Sequence, residues 1–548
     1  MLPEPWDGAR LGAGTVTQLL QNDPVQARPP RRLPLTVALC ALTATLVAAA
    51  CSSPPKPPPP HGTTPDGGAG SSADLTILYT SDEHGWLEPY EAAGVRRGGV
   101  SQLLAQLVRQ ENHCPGAFPD QPASSCEQAS TVLLSGGDNL IGPAISGFFK
   151  GDNMAQAMRR LGYAASAFGN HEFDFGHDQF RRNRAQAGFP YLAANLVRPD
   201  GAAQDFTKPY VLIRRGAATL GVVGLSTVTT PQTAAATRFA DLAFEAPQKA
   251  LDRVVPQVWK AGADAVVVVV HECHDQIAPL VAQNPQWDLS FVGTGHCHRT
   301  SVELINGTPV IGPSWRLGHY ARVRLTIDAS APQHDRAQLV DYELVEVASP
   351  MSEPPPTVDP DLDRRIAGWK AKIDSVLGEV VGFTEVGLAR KSPALGHWIV
   401  RTWLARFETD LALTTQGAIR QELPPGPISR ATIASIMPFE NELVLCKATG
   451  AQLAEMLKDP EAVMAGFERL ADGSIVDHRG KPLDPEQRYR VVTTDFLFDG
   501  GDGYAFHRFD PQPKRTGVSW RTPVVEWTKE AGSSAKKPLE SLLHEQGD

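Results

Sequence analysis

Between residues 74 and about 345 the chain alternates two patterns. Short apolar runs at 75–79, 132–134, 164–168, 265–270 and 289–292 read as buried strands. Between them, stretches such as 100–109, 153–161 and 248–261 carry apolar residues at helical spacing. Such alternation predicts an α/β domain. A Pro-rich break at 349–356 follows. Then Leu362, Ile366, Trp369, Ile373 and Leu377 recur at helical spacing, with Pro360 early, where a helix tolerates it. This predicts one helix over Pro360–Leu377, within a connecting segment 346–377. It leads into a second, smaller α/β domain over 378–530, and residues 531–548, rich in Lys, Glu, Ser and Gly, read as a frayed tail.

The N-terminal 73 residues follow a different logic. Arg28, Arg31 and Arg32 precede an almost wholly apolar run, 33–50, which ends in Leu46-Val-Ala-Ala-Ala-Cys51. A basic region, an apolar core and small residues read as a secretory signal over 1–51. The ending resembles a bacterial lipobox, which implies cleavage before Cys51, lipidation of its thiol and anchoring to the cell envelope; an uncleaved anchor helix is the alternative. Residues 52–73, rich in Pro, Gly and Ser, form a tether.

Composition narrows the function. The 548 residues are 42% hydrophobic and 20% charged with a net charge of −10, and no Lys/Arg-rich tract appears beyond the N-terminus. A nucleic-acid polymer is therefore not the expected partner. Of the seven cysteines, Cys114 and Cys126 flank one loop and are the best candidates for a disulfide in an oxidising compartment. Cys273 and Cys297 each lie beside a motif histidine, so a second bridge and two free thiols both remain open. Cys446 reads as buried.

Each apolar run of the first domain ends in a polar motif: Thr80-Ser-Asp-Glu-His84, Gly136-Gly-Asp138-Asn139, Gly169-Asn-His-Glu-Phe-Asp174, His271-Glu-Cys-His274 and Gly295-His-Cys-His298. Strand ends of an α/β sheet converge on one crevice. Asp82 and His84, one residue apart, point to the same side of an extended segment. With Asp138, Asn170, His271, His296 and His298 they make seven oxygen and imidazole ligands, more than one metal needs. They suit two divalent cations, of Zn, Mn, Co or Fe character, sharing the carboxylate of Asp138. Histidines 61, 113, 319 and 397 lack such context and read as surface or core filler.

These motifs and their order resemble the bacterial 5′-nucleotidase family, a calcineurin-like metallophosphoesterase domain of four-layer type followed by a 5′-nucleotidase C-terminal domain. The resemblance covers about residues 74–527. It implies one metal on Asp82, His84, Asp138 and His298, and a second on Asp138, Asn170, His271 and His296. His171 and Asp174 then form a catalytic dyad, although Asp174 also suits a helix N-cap. Asn139 would reach the phosphate or else shape its turn. In the second domain, Gln416-Gly-Ala-Ile-Arg420 and Gly500-Gly-Asp-Gly-Tyr504 resemble the family's substrate segments. They imply Arg420 on phosphate, Asp502 on a hydroxyl and Tyr504 against the base. The segments 458–467 and 389–397 depart from the family pattern; Phe467 is the candidate there for its second aromatic, and Arg390 or Lys391 for its phosphate contact.

The expected activity is hydrolysis of nucleoside 5′-phosphates by in-line attack of a metal-bridging hydroxide. UDP-sugars, cyclic nucleotides or another phosphoester are alternative substrates, and a sulfur-ester hydrolase or a non-catalytic surface binding protein is the more distant reading.

Overall fold

The computed structural model describes residues 72–126, 130–202, 204–354 and 356–545. The signal, Cys51 and nearly all of the tether lie outside the described residues. Among the described residues no helix is long and apolar enough to cross a membrane.

Two six-stranded sheets form the first domain. In the first, strand Ser72–Thr80 lies between antiparallel His319–Asp328 and parallel Thr131–Ser135, and Tyr163–Ala167 follows in parallel. In the second, Ala265–His271 is flanked by parallel Ala218–Ser226 and Phe291–Thr294. Ile77, Tyr79, Val132 and Leu134 of one sheet share a core with Val222, Val267, Val269 and Phe291 of the other. Their alternates face outward: Leu78 and Leu133 onto helices Val100–Glu111 and Asp152–Leu161, and Val266, Val268 and Val270 onto Pro247–Lys260 and His274–Gln283. The layers are helix, sheet, sheet, helix. Strands buried on both faces have no polar side to alternate, which is why they read as continuous apolar runs.

The connecting helix forms over Pro360–Leu377, as its apolar spacing predicts. Asp359 caps it by accepting from the Asp361 and Leu362 amides, and takes Arg160 Nε at 2.5 Å. Leu362 and Ile373 are buried in the first domain's core. A cap is typically worth about 1 kcal/mol, and here it also ties the helix to the first domain.

The second domain is built on five strands in the order Ala462–Ala465, Leu411–Thr415, Arg488–Thr494, Glu442–Thr449, Lys514–Ser519. Leu411–Thr415 and Arg488–Thr494 are parallel neighbours. Their C-terminal ends therefore deliver Gln416–Arg420 and Asp495–Asp502 to the same edge. The expected frayed tail is corrected by helix Leu539–Glu545, whose Leu539 and Leu542 are buried, Leu539 in the core of this domain.

Cys114 is bonded to Cys126 and Cys273 to Cys297, which resolves the second pair, while Cys446 is free and buried.

Candidate metal centre

All five motifs meet at one edge of the two sheets, and their backbones interlock. The Asp82 amide donates to Gly137 O at 3.0 Å and the His84 amide to Asp138 O at 2.9 Å. Asp82, His84, Asp138, His296 and His298 all have left-handed φ, between 44° and 65°. Asp82 and His84 thus share a side through a left-handed turn, not through the pleat of an extended segment. Such conformations cost a non-glycine residue of order 1 kcal/mol or more each, and tertiary contacts must hold them. Two glycines show how close the packing is. A Cβ on Gly169 would lie 2.1 Å from Asp138 Oδ1, and one on Gly295 would lie 2.1 Å from Ser81 Oγ and 2.9 Å from Asp82 Oδ2.

The ligand atoms form two groups, Asp82–His84–His298 and Asp138–His271–His296, each gathered within 4.8 Å. His84 Nε2 is 3.0 Å from His298 Nε2, which is 3.3 Å from Asp82 Oδ1. His271 Nε2 is 3.0 Å from Asn170 Oδ1, 3.1 Å from Asp138 Oδ2 and 3.3 Å from His296 Nδ1. Asp138 Oδ2 is also 3.8 Å from His84 Nε2, so the carboxylate stands between the groups. His84 and His271 direct Nδ1 at the carbonyls of Ile141 (3.1 Å) and Gly136 (2.8 Å), which turns each Nε2 toward the other ligand atoms. Ligands on a tetrahedral divalent ion stand roughly 3.3 Å apart for bonds near 2.0 Å, so the donor set and its spacing fit two such ions.

Charge points the same way. Burial would lower the pKa of His271, but the Asp138 and Asp82 carboxylates outweigh it and push it up to about 10. Burial, with His271 nearby, holds His296 down at about 4. Against the cost of their own burial, His298 and His271 keep Asp82 ionised, and His271 and His171 keep Asp138 ionised. Without a cation, protons partly neutralise this cluster, and metal binding should release them.

Two acids overlooked in the sequence lie directly behind the ligands. Glu83 is fully buried, accepts from Thr80, Ser135 and Asn139, and is pushed by burial up to about 7. Glu172 Oε1 accepts the amides of Asp138 (2.7 Å) and Asn139 (3.2 Å), supporting the turn that carries the bridging carboxylate. Their position inside the Asp-Glu-His and Asn-His-Glu motifs was the available signal. Asn139 is corrected by the same network. Its side chain is fully buried, donates to Glu83 and Ser135, and accepts from Ser166, so neither end of the amide is available to a substrate.

His171 is beside the metal ligands but not among them. Its Nδ1 is 2.7 Å from Asp174 Oδ2, which leaves Nε2 for a ligand in the cavity. Burial opposes its protonation, but Asp174 and Asp138 outweigh burial and raise its pKa. Asp174 is not a cap, since the following helix, His177–Ala187, begins at Gly176.

A cavity of about 370 Å³ opens from this centre toward the second domain. Asp138, Asn170, His171, His296 and His298 line one end, and Thr415, Arg420, Phe439, Asn441, Phe496 and Asp502 line the other. Arg420 Nη2 lies 2.9 Å from His84 Nε2. Phe439 stacks on the His171 ring with centroids 5.3 Å apart. Phe496 lies flush on Gly501, where a Cβ would come within 2.3 Å of the ring. Asp502 Oδ2 accepts from Thr415 Oγ1 at 2.7 Å.

Three second-domain expectations need correction. Tyr504 is 3% exposed, does not line the cavity, and packs in the core, with its hydroxyl donating to Asp459. Phe467 is likewise in that core, edge-on to Tyr489. Arg390 stands behind the cavity wall, donating to Ile419 O at 3.1 Å with its guanidinium over Trp315. The aromatics that do face the cavity, Phe439 and Phe496, were missed. The signal was present: Pro438-Phe439 precedes a strand, and Phe496 stands five residues before the glycine on which its ring rests.

His171→Ala should reduce kcat by roughly 10²–10⁴, the range for a general acid or a charge-stabilising group, with metal content unchanged by elemental analysis. Loss of metal in that variant would make His171 a ligand and not a proton-bearing group.

Known proteins are similar to this chain. Residues 380–508 match the family model of the 5′-nucleotidase C-terminal domain. Protein UshA of Yersinia enterocolitica is 26% identical over 490 residues, which cover 79% of this chain and 86% of that protein. The 5′-nucleotidase precursor of Thermus thermophilus shares the fold with a TM-score of 0.71 at 22% identity, covering 86% of this chain and 98% of the other. The sulfate thiohydrolase SoxB of Thermus thermophilus shares it with a TM-score of 0.67 at 17% identity, covering 86% and 96%. Residues 380–508 thus form a 5′-nucleotidase C-terminal domain, and the chain as a whole is similar to the bacterial 5′-nucleotidases, with the α/β fold of a metal-dependent phosphoesterase.

Proposed function

We propose that the protein hydrolyses nucleoside 5′-monophosphates in the cavity between its two domains. The observation that carries this reading is the placement of Arg420. A half-buried guanidinium 2.9 Å from a metal-ligand nitrogen is repelled by any cation bound there unless an anion lies between them. A phosphoryl group supplies that anion and suits bidentate recognition by arginine. Phe439 and Phe496, farther along the cavity, offer faces to a planar base, and Asp502 offers an acceptor to a ribose hydroxyl. Similarity to proteins named 5′-nucleotidase supports nucleotides as the substrate class.

Asp82, His84, Asp138 and His298 would hold one divalent cation, and Asp138, Asn170, His271 and His296 the other. When bound, the cations supply Lewis-acid charge to the phosphoryl oxygens and make water a competent nucleophile near neutral pH. The chain's own groups do the rest. Arg420 orients the phosphate. His171, held by Asp174 and with its protonated form favoured by its carboxylate neighbours, would stabilise charge on the transferring group or protonate the leaving oxygen. This reading requires no serine or cysteine nucleophile.

We read the chain as exported and lipid-anchored through Cys51. The two disulfides support an oxidising compartment. Cys51→Ser should move the protein from the membrane to the soluble fraction on fractionation; an unchanged membrane share would remove the lipid anchor from this account.

A phosphate-release screen with added divalent metals, across nucleotides, UDP-sugars and simple esters, tests the substrate class. Turnover of a sulfur ester with no phosphate release from any nucleotide would overturn it. Within that screen, Phe496→Ala should raise KM for AMP roughly ten- to a hundredfold, since base stacking is worth about 1–3 kcal/mol. Hydrolysis of p-nitrophenyl phosphate should suffer less. Equal losses on both substrates would mean that Phe496 shapes the cavity without stacking on a base.

A further inference from the structure

The loop after strand Thr308–Pro313 contains three non-glycine residues in left-handed conformation, Ser314 (φ 70°), Arg316 (59°) and Leu317 (57°). Strain of this kind persists only where surrounding contacts fix it, and here the contacts run in two directions.

Toward the metal centre, Ser314 Oγ donates to His298 O at 3.0 Å and the Arg316 amide donates to Asp82 O at 2.9 Å. The Trp315 ring stacks on the His298 ring at 4.4 Å and 11°. Toward the second domain, the Arg316 side chain, only 5% exposed, places its guanidinium carbon 3.8 Å from the Trp315 ring centre and 4.4 Å from that of Trp86. From this slot Nη2 donates to Arg420 O at 2.7 Å and Nη1 lies 3.5 Å from Glu422 Oε2. Gly98 admits the loop, because a Cβ there would come within 2.2 Å of Arg316 O. One short loop therefore touches two ligands of the first metal group and the backbone of the residue assigned to phosphate.

We propose that Arg316 is a positioning residue: it fixes the distance between the Arg420 guanidinium and the Asp82–His84–His298 group by holding the Arg420 carbonyl from a loop anchored on Asp82 and His298. A flat guanidinium stacks between two rings and still aims its edge at a carbonyl, which an ammonium does not reproduce. Arg316 does not reach the cavity itself, so its effect passes through Arg420. The inference rests on the reading of Arg420 as the phosphate ligand.

A double-mutant cycle on the full chain tests it, using kcat/KM for p-nitrophenyl phosphate, inhibition by inorganic phosphate and metal content. Arg316→Met keeps an unbranched stem between Trp86 and Trp315 and removes the donor; Arg316→Lys keeps the charge. Each should lower kcat/KM about ten- to a hundredfold and weaken phosphate inhibition, with metal content as in the parent. In an Arg420→Ala background the same changes should cost less than about twofold, because the group they position is gone. Losses that multiply independently in the two backgrounds would overturn the positioning role. So would loss of metal or of folding in both Arg316 variants, which would make Arg316 a scaffold residue. Unchanged phosphate inhibition in Arg420→Ala alone would instead refute the phosphate role of Arg420.

Discussion

Asp138 stands where every other part of this structure has to be reconciled. One of its carboxylate oxygens is 3.1 Å from His271 and 3.8 Å from His84, and the other accepts the His171 amide at 2.9 Å. An ionised carboxylate that is 2% exposed is costly without partners. The compensation is built from several strand ends together: Glu172 fixes the amide of Asp138, Gly169 leaves room for Oδ1, and the imidazoles of His84 and His271 are pinned by backbone carbonyls. The left-handed backbone at five of the seven ligands belongs to the same arrangement. Neighbouring loops hold these residues in conformations they would not adopt alone, which pre-organises the donors for cations.

Much of this was legible in the sequence because the physics is local there. A strand buried on both faces has to be a continuous apolar run, and a ligand loop has to follow its end, so run-then-motif marked all five loops. The connecting helix was equally readable from its apolar spacing and early proline. The second domain was less legible, because its cavity residues are set by which side chains the strand ends turn outward. Tyr504 and Phe496 lie eight residues apart in one segment. The flat contact of Phe496 on Gly501, and the bond from the Tyr504 hydroxyl to Asp459, decide which ring faces the cavity. Neither is a pattern along the chain. Asn139 failed for a similar reason, as its partners Glu83 and Ser166 arrive from separate strands.

In the proposed reading the second domain would contribute selection more than chemistry. Arg420 and Phe496 follow parallel neighbouring strands, so one sheet edge brings a guanidinium and an aromatic ring to the same cavity. The first domain offers the complementary edge, with its metal ligands and the His171–Asp174 pair. Contacts across the junction set the spacing between these two functions, and the strained loop carrying Arg316 is one of them.

The central claim is a two-cation centre sharing Asp138, and its most direct test is activity measured against bound metal. The metal-stripped protein would be titrated with a divalent ion while stoichiometry and phosphate release are followed together. The account predicts two ions per chain, proton release on binding, and turnover that appears only as the second ion binds. Full turnover at one ion per chain, or saturation of the protein at one, would contradict it.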